Sequence, residues 1–449
     1  MEASYTIGHL QNDLHPRVTN KTWKKENATV VEDVKFSGSN ITLSEWPSAH
    51  QVIIKNCHFT EGLHISGKFL GDIVFQECKF SNYVTIDLQS FDGKLAFSKC
   101  HLESNLIINN GSYKKIFVDA KMEQFLINSG TFERLDLTGD GSGGCNTIHI
   151  SFYGVKGTIN IQGVKCKSIS FVDVMGKDTD LSISNSSCAE LKINRYVNDG
   201  RLKLFNVDIT DDNDAGKAII HQSNLSKAEF YNINYGKHAL VDIVESFIAE
   251  VNFIKVNWPK SLKKASKKLR YEDMLDRTML YKQLKSAYNK QGDTILEHDF
   301  HALEMYTRLC LARKALFASR EENAHPTRTG NSKSRLMIFQ DWVVLSLSHI
   351  SSKFGMDWIR PLLFALVVNI PLFTWMVAMG SVKNIVYDPS IKGIIASFNY
   401  FPEYLYYLYP LRKIEYDSVN ISIMADILMR SVTGYCIYNF VRATRRFVK

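Results

Sequence analysis

Ile54-Lys-Asn-Cys57-His-Phe59, Phe75-Gln-Glu-Cys78-Lys-Phe80 and Phe97-Ser-Lys-Cys100-His-Leu102 are one frame written three times. Each has an apolar residue, a cysteine three places on and another apolar residue two places later. The cysteines stand 21 and 22 residues apart, and Cys145, Cys166 and Cys188 repeat the same two intervals. Met122 falls in phase within the 45-residue gap between the two sets. Further on, Ser223-Asn-Leu-Ser-Lys-Ala-Glu-Phe230 aligns with Ser246-Phe-Ile-Ala-Glu-Val-Asn-Phe253 at a spacing of 23. A fixed period of this size is the signature of a solenoid. Within each period the apolar runs are short and alternating, as in Leu63-His-Ile65 and Thr158-Ile-Asn-Ile161, and are separated by Gly, Asn, Ser and Asp. They read as strands of three to five residues, so the expected fold is a β-helix over 35–258, preceded by a cap at 1–34. Roughly ten coils fit between Lys35 and Val256, giving a rod about 50 Å long at about 4.8 Å per coil. Cysteine at a recurring inward position acts as a small buried hydrophobe, with metal binding the remote alternative.

The degenerate frame resembles that of pentapeptide-repeat proteins, whose quadrilateral coils have about this length. The resemblance is loose, because few segments keep a central Leu or Phe strictly every five residues.

Composition narrows the class. Of the 449 residues, 45% are apolar and 22% charged, which fits neither a disordered chain nor a many-helix membrane protein. The net charge of +8 is uneven: residues 1–256 carry −4 and residues 257–449 carry +12. That bias favours an anionic membrane face or a nucleotide ligand over an acidic protein partner. The first ten residues lack a basic segment followed by an apolar run, so no secretory signal is expected and the eight cysteines should remain thiols.

After Trp258-Pro259 the period changes from two to helical. A basic stretch, Lys263, Lys264, Lys267, Lys268 and Arg270, leads into a helix with Leu275, Met279, Leu280, Leu284, Ala287 and Tyr288 expected on one buried stripe. Gly292-Asp293 separates it from a second helix striped by Leu296, Phe300, Leu303 and Leu309. The pair forms a hairpin collar at 259–320, expected to pack on the last coil, and residues 321–335 are polar with the composition of a linker. The mixed helix Leu336–Phe354 suits a bilayer interface. Pro361–Val382 is 22 residues without a charge, enough for one span, with Asn369 and Pro371 marking a kink. Asn420–Val441 is a second candidate of equal length that contains Asp426 and Arg430. Lys and Arg flank both outer ends, so the expected topology is two-pass with cytoplasmic termini and residues 383–419 outside.

Charges inside a span are costly, so Asp426 and Arg430, four apart on one helix face, should pair and face protein or water. Two readings stand. Either they line or gate a pore, with Ser431, Gly434, Ile437, Tyr438 and Asn439 continuing its surface, or they form an inter-subunit bridge that only assembles an oligomer. The run Phe398–Tyr409, with seven aromatics in twelve residues, reads either as a pore helix or as an interfacial aromatic belt. No Thr-x-Gly-Tyr-Gly potassium filter is present. The basic residues 263–270 suit phosphate, nucleic acid or anionic lipid. Gly139–Gly144 lacks the Lys-Ser/Thr of a phosphate loop, and Asp211–Gly216 is only half a calcium loop, so both read as turns. No catalytic constellation is legible, so an enzyme is not expected and no cofactor or metal is called for.

Tyr281-Lys-Gln-Leu-Lys-Ser-Ala-Tyr288, Phe300-His-Ala-Leu-Glu-Met305, Ser352–Leu363 and Ile427–Arg446 together resemble bacterial membrane-associated pentapeptide-repeat proteins. Those chains end in a two-span module similar to the pore domain of potassium channels. The resemblance implies a homotetrameric inner-membrane channel, and more narrowly the channel effector of a Hailong-type anti-phage system. There a nucleotidyltransferase makes a DNA oligomer that controls the channel. The missing filter leaves potassium selectivity unsupported.

Overall fold

Alternation places every second side chain of a strand on the same face, and in the N-terminal half that face is closed into a core. The computed structural model describes residues 22–25, 28–36, 41–46, 51–69, 71–139, 144–211, 215–259, 271–317, 334–379, 382, 400–411 and 421–445. The chain divides into two units, Met1–Lys268 and Leu269–Lys449.

The first unit is a β-solenoid of about nine turns, consistent with a pentapeptide-repeat β-helix. Its register follows one inward column, Leu43–Ile65–Ile86–Ile108–Ile127–Ile150–Phe171–Ile193–Ile220–Ile243, each residue paired in parallel with the next. A second face carries Ile54–Phe75–Phe97–Val118–Leu137–Ile161–Ile183–Leu204–Phe230–Phe253 in the same way. All of these side chains are buried, so each coil closes its apolar face only by stacking on its neighbours. Inward pairs such as Ile73/Phe75 and Cys78/Phe80 recur five residues apart. An antiparallel pairing of Thr22–Lys25 with Ala28–Val31 lies at the N-terminal end of the ladder. It occupies an edge that would otherwise template pairing with another chain.

The corners show how the sequence turns the coil. Asp33, Asn56, Glu77 and Lys99 all have φ between 49° and 57°. Their amides still reach the next coil: Asp33 N donates to Lys55 O, Asn56 N to Gln76 O and Glu77 N to Ser98 O, at 2.9–3.1 Å. A second corner column, Asn185, Asn206, Asn232 and Lys255, has the same left-handed backbone, which asparagine enters more readily than most residues. The Asn206 amide donates to Asn185 Oδ1 at 2.9 Å and that of Asn232 to Asn206 Oδ1 at 2.8 Å. Glycine is required where coils touch: a Cβ at Gly157, whose φ is +105°, would overlap the Phe132 carbonyl oxygen.

The six solenoid cysteines are buried and free. Met122 is in phase with the second set only, pairing with Cys145, whereas Cys100 pairs with Ala120. The register slips at two irregularities in the strand that carries Cys100, between Phe91 and Lys94 and between Ser98 and Cys100, which shorten the step to the next coil.

The second unit begins with α1 (Tyr271–Gln291) and α2 (Thr294–Phe317), antiparallel across Gly292. The seam is made by Leu280, Tyr281, Leu284, Ala287, Tyr288 and Phe300, with the Tyr288 and Phe300 rings stacked at 5.6 Å. Leu275 and Met279, expected in that stripe, are instead exposed, and so is Leu303. Leu280, Leu284, Ala287 and Tyr288 of the expected stripe are buried, and Thr278 and Tyr281 are buried where Leu275 and Met279 were expected. Next come α3 (Arg335–Ser352), α4 (Ile359–Ala378), α5 (Phe401–Tyr407) and α6 (Ile421–Arg445). Ser334 caps α3, its Oγ accepting from Met337 N at 3.3 Å, so the polar stretch reaches a residue less far than 321–335 suggested. Among the described residues α4 alone is long and apolar enough to cross a membrane; α6 is long enough but less apolar.

Candidate functional site

The functional candidates gather on α6, whose two faces have different chemistry. Asp426, Met429, Thr433, Cys436, Asn439 and Ala443 recur at helical spacing and are buried, facing the chain's other helices. Ile427, Ser431, Gly434, Ile437, Tyr438 and Val441 are exposed on the other side. The pore candidates therefore divide: Asp426 and Asn439 sit on the inner face, Arg430 between faces, and Ser431, Gly434, Ile437 and Tyr438 on the outer one. The five basic candidates, Lys263, Lys264, Lys267, Lys268 and Arg270, lie outside the described residues, as do 140–143 and 212–214 of the two glycine- and aspartate-rich loops. Asp211 Oδ1 accepts from Ala215 N at 2.6 Å, as a turn requires.

Asp426 and Arg430 form the ion pair that their spacing implies, Nε to Oδ2 at 2.9 Å, with Asp426 only 2% exposed. Arg430 Nη1 also donates to the Pro410 carbonyl at 3.2 Å. The charges thus neutralise each other within one chain and tie α6 to the end of the aromatic segment. One side of that segment packs inward while Phe401, Tyr406 and Tyr409 stay exposed: Tyr404 is buried and its hydroxyl donates to the Leu366 carbonyl of α4, and Phe373 meets the Tyr404 and Tyr407 rings at 5.2 and 5.5 Å. Met376, Val377, Tyr404, Ala425 and Met429 share this small apolar cluster.

Asn369 stands at the middle of α4, completely buried, and its Nδ2 donates to Thr433 Oγ1 at the middle of α6, 3.1 Å away. Thr433 in turn donates its hydroxyl hydrogen bond to the Met429 carbonyl at 2.8 Å. The Asn369 Oδ1 has no hydrogen-bond partner. Two residues later Pro371 interrupts the backbone ladder.

A further polar chain, absent from the expected site, joins α6 to the α1–α2 pair. Glu304 on α2 is 1% exposed and accepts from Lys285 of α1 and Arg308 of α2, both at 2.7 Å. Burial opposes its ionisation, but the Lys285 bond and charge, with Arg308, bring its pKa below the ordinary carboxylate value. One turn earlier, His301 accepts from Arg442 of α6, Nη2 to Nε2 at 2.9 Å. An arginine only donates, so His301 is the neutral tautomer with its proton on Nδ1, 4.0 Å from Glu304. Burial, then the Arg442 and Lys285 charges, lower the His301 pKa to about 4. The i, i+3 and i, i+4 spacings of His301, Glu304 and Arg308 are visible in sequence. The contact with Arg442, 141 residues away, is not.

Between α2 and the α3–α4 turn lies an open cleft of about 710 Å³, lined by Asp299, Tyr306, His349, Lys353 and Trp358 among others. The solenoid thiols offer little reactivity: a neighbouring thiol for Cys78, and burial for Cys145 and Cys188, push each up to about 12. Among the described residues no group of three or more His, Cys, Asp or Glu is placed to hold a metal ion. Comparison with protein-family models, curated proteins and solved structures finds no match.

Proposed function

We propose that the chain is an oligomeric ion-channel effector of a bacterial inner membrane, with α4 and α6 crossing as a two-pass hairpin and both termini cytoplasmic. The observation that carries this reading is the pairing of α4 and α6. They are hydrogen-bonded at their midpoints and apolar on their outer faces at Leu362, Leu363, Val367 and Ile370 and at Ile427, Leu428 and Ile437. Such outer faces suit lipid or further copies of the chain. Four copies around one axis, as in the pore modules the sequence resembles, would turn the Ser431–Gly434–Tyr438 face of α6 inward. The cytoplasmic solenoid and the basic residues 263–270 would receive an anionic nucleotide or single-stranded DNA oligomer made by a partner nucleotidyltransferase. Depolarisation on triggering would serve anti-phage defence.

A second reading, a membrane-anchored β-helix scaffold without a pore, is favoured by one observation: the Asp426–Arg430 pair is closed within the chain. Ion flux from liposomes containing the purified protein, with and without oligonucleotides, separates the two. The channel reading expects ligand-dependent flux that changes in the Asp426→Ala/Arg430→Ala protein at unchanged insertion. No flux from correctly inserted protein under any condition would favour the scaffold.

A further inference from the structure

The two halves of α6 are held by different partners. Toward its N-terminus, Ala425 and Met429 are packed into the apolar cluster with Met376, Val377 and Tyr404, and Arg430 bonds the Pro410 carbonyl. Toward its C-terminus Cys436 and Ala443 are buried and Phe440 meets the Trp358 ring at 6.2 Å, beside three polar contacts: Tyr435 to Ser351 at 3.3 Å, Asn439 to Ser352 at 3.4 Å and Arg442 to His301 at 2.9 Å. The first two are long for hydroxyl and amide bonds, which leaves the Arg442 contact as the shortest of the three. Gly434 lies between the halves with open space where a Cβ would project, and glycine inside a helix weakens it locally. Apolar packing resists separation, because separating it leaves a void. Polar contacts can exchange with water or with another partner at small net cost.

We infer that the Glu304–His301–Arg442 chain is a latch through which the α1–α2 pair holds the C-terminal half of α6, and that its release opens the channel. This rests on the conducting role proposed above. Each part fits a releasable hold. Glu304, one turn along α2 from His301 and 4.0 Å from its Nδ1, is fixed from α1 by Lys285 and from α2 by Arg308. His301 presents a lone pair to Arg442, a bond to a neutral group and not a full ion pair. The stem of Arg442 passes over Gly355, whose absent Cβ would lie 3.6–3.8 Å from Nε, Cδ and Cγ. Lys353, Phe354 and Gly355 are all left-handed, with φ of 46°, 60° and 87°. This α3–α4 turn is kept in place by the Ser352 carbonyl, which accepts from the amides of Gly355, Met356 and Asp357. The seat for Arg442 is thus built by α2 and the turn together, and a displacement of α1–α2 removes one side of it.

The experiment is a charge exchange read by flux, with a cross-link as an independent reading of the contact. His301→Lys places a cation against Arg442 and Lys285 and should raise ligand-free flux about tenfold, a typical coupling between linked sites. His301→Lys with Arg442→Glu should return flux to the wild-type level. In a Cys310→Ser background, where the remaining natural thiols are buried, His301→Cys and Arg442→Cys should be joined by a short bifunctional thiol reagent. The joined protein should no longer respond to oligonucleotide. Flux that ignores the exchange and the cross-link overturns the latch. Efficient cross-linking with no flux in any variant overturns the conducting role beneath it and leaves the contact standing.

Discussion

Replacing Asn369 by leucine should leave the folded chain as stable as before or up to about 1 kcal/mol more stable, although it deletes a buried hydrogen bond between two helices. The bond lost is Nδ2 to Thr433 Oγ1 at 3.1 Å, and interhelical bonds of this kind in membranes average about 0.6 kcal/mol. No donor is orphaned, because Thr433 still donates to the Met429 carbonyl. On the other side, the substitution removes Oδ1, a buried acceptor without a partner, whose desolvation costs about 1–3 kcal/mol. Leucine keeps the branching of asparagine, but its methyl groups are larger, and the tight α4–α6 contact takes back about 1 kcal/mol. Thr433→Val is the asymmetric control: it strips the Asn369 amide of its partner and should cost about 1–2 kcal/mol, most of which Asn369→Leu should restore in the double variant. Equilibrium unfolding in mixed micelles measures all three. A loss of more than about 2 kcal/mol for Asn369→Leu alone would refute the reasoning, since it would require a partner for Oδ1 that one chain does not supply.

Three further outcomes follow from the same structure. His301, held neutral with a pKa near 4 against its ordinary 6.5, takes up a proton more readily when unfolded; stability should therefore fall as pH drops from about 6.5 towards about 4, and His301→Gln should flatten that slope in melting curves taken at each pH. The Arg442 and Lys285 cations facing it from α6 and α1 should sharpen the effect at low salt, and the Glu304 carboxylate on its own helix opposes them in part. Native protein should label first at half-buried Cys310, and slowly, because burial raises its pKa, with the other seven labelled only on unfolding; rapid labelling of Cys78 or Cys188 would contradict their burial. Asn206→Val should cost about 2 kcal/mol by chemical denaturation, through a β-branched residue at φ 52° and the broken link between Asn185 and Asn232, whereas Asn206→Gly should cost less.

Legibility varied with how local the determining physics is. The cysteine frame exposed the solenoid because inward residues must recur once per coil, and the period survives in sequence even where residue types drift. The same logic placed Met122 only half correctly, since register shifts before Lys94 and Cys100 change the phase without leaving a compositional mark. The pairing of Asp426 with Arg430 was readable because four residues bring both to one helix face. Which way that face turns was not, and the structure closes Asp426 against the chain while Ser431 and Tyr438 look outward. Four members of the α1 stripe were readable, Leu280, Leu284, Ala287 and Tyr288, whereas the burial of Thr278 and Tyr281 in place of Leu275 and Met279 depends on the neighbouring helix, which periodicity does not contain.

Backbone and side-chain periodicity, governed by neighbours a few residues apart, determined from sequence alone that this chain is a β-solenoid followed by helices, one of them apolar enough to span a bilayer. The contacts joining distant segments were decided only by tertiary structure: Arg442 on His301, Asn369 on Thr433 and Tyr404 on Leu366. Each joins residues tens to more than a hundred positions apart. A hydrogen bond across that separation depends on how helices pack and rotate, which no spacing along the chain encodes.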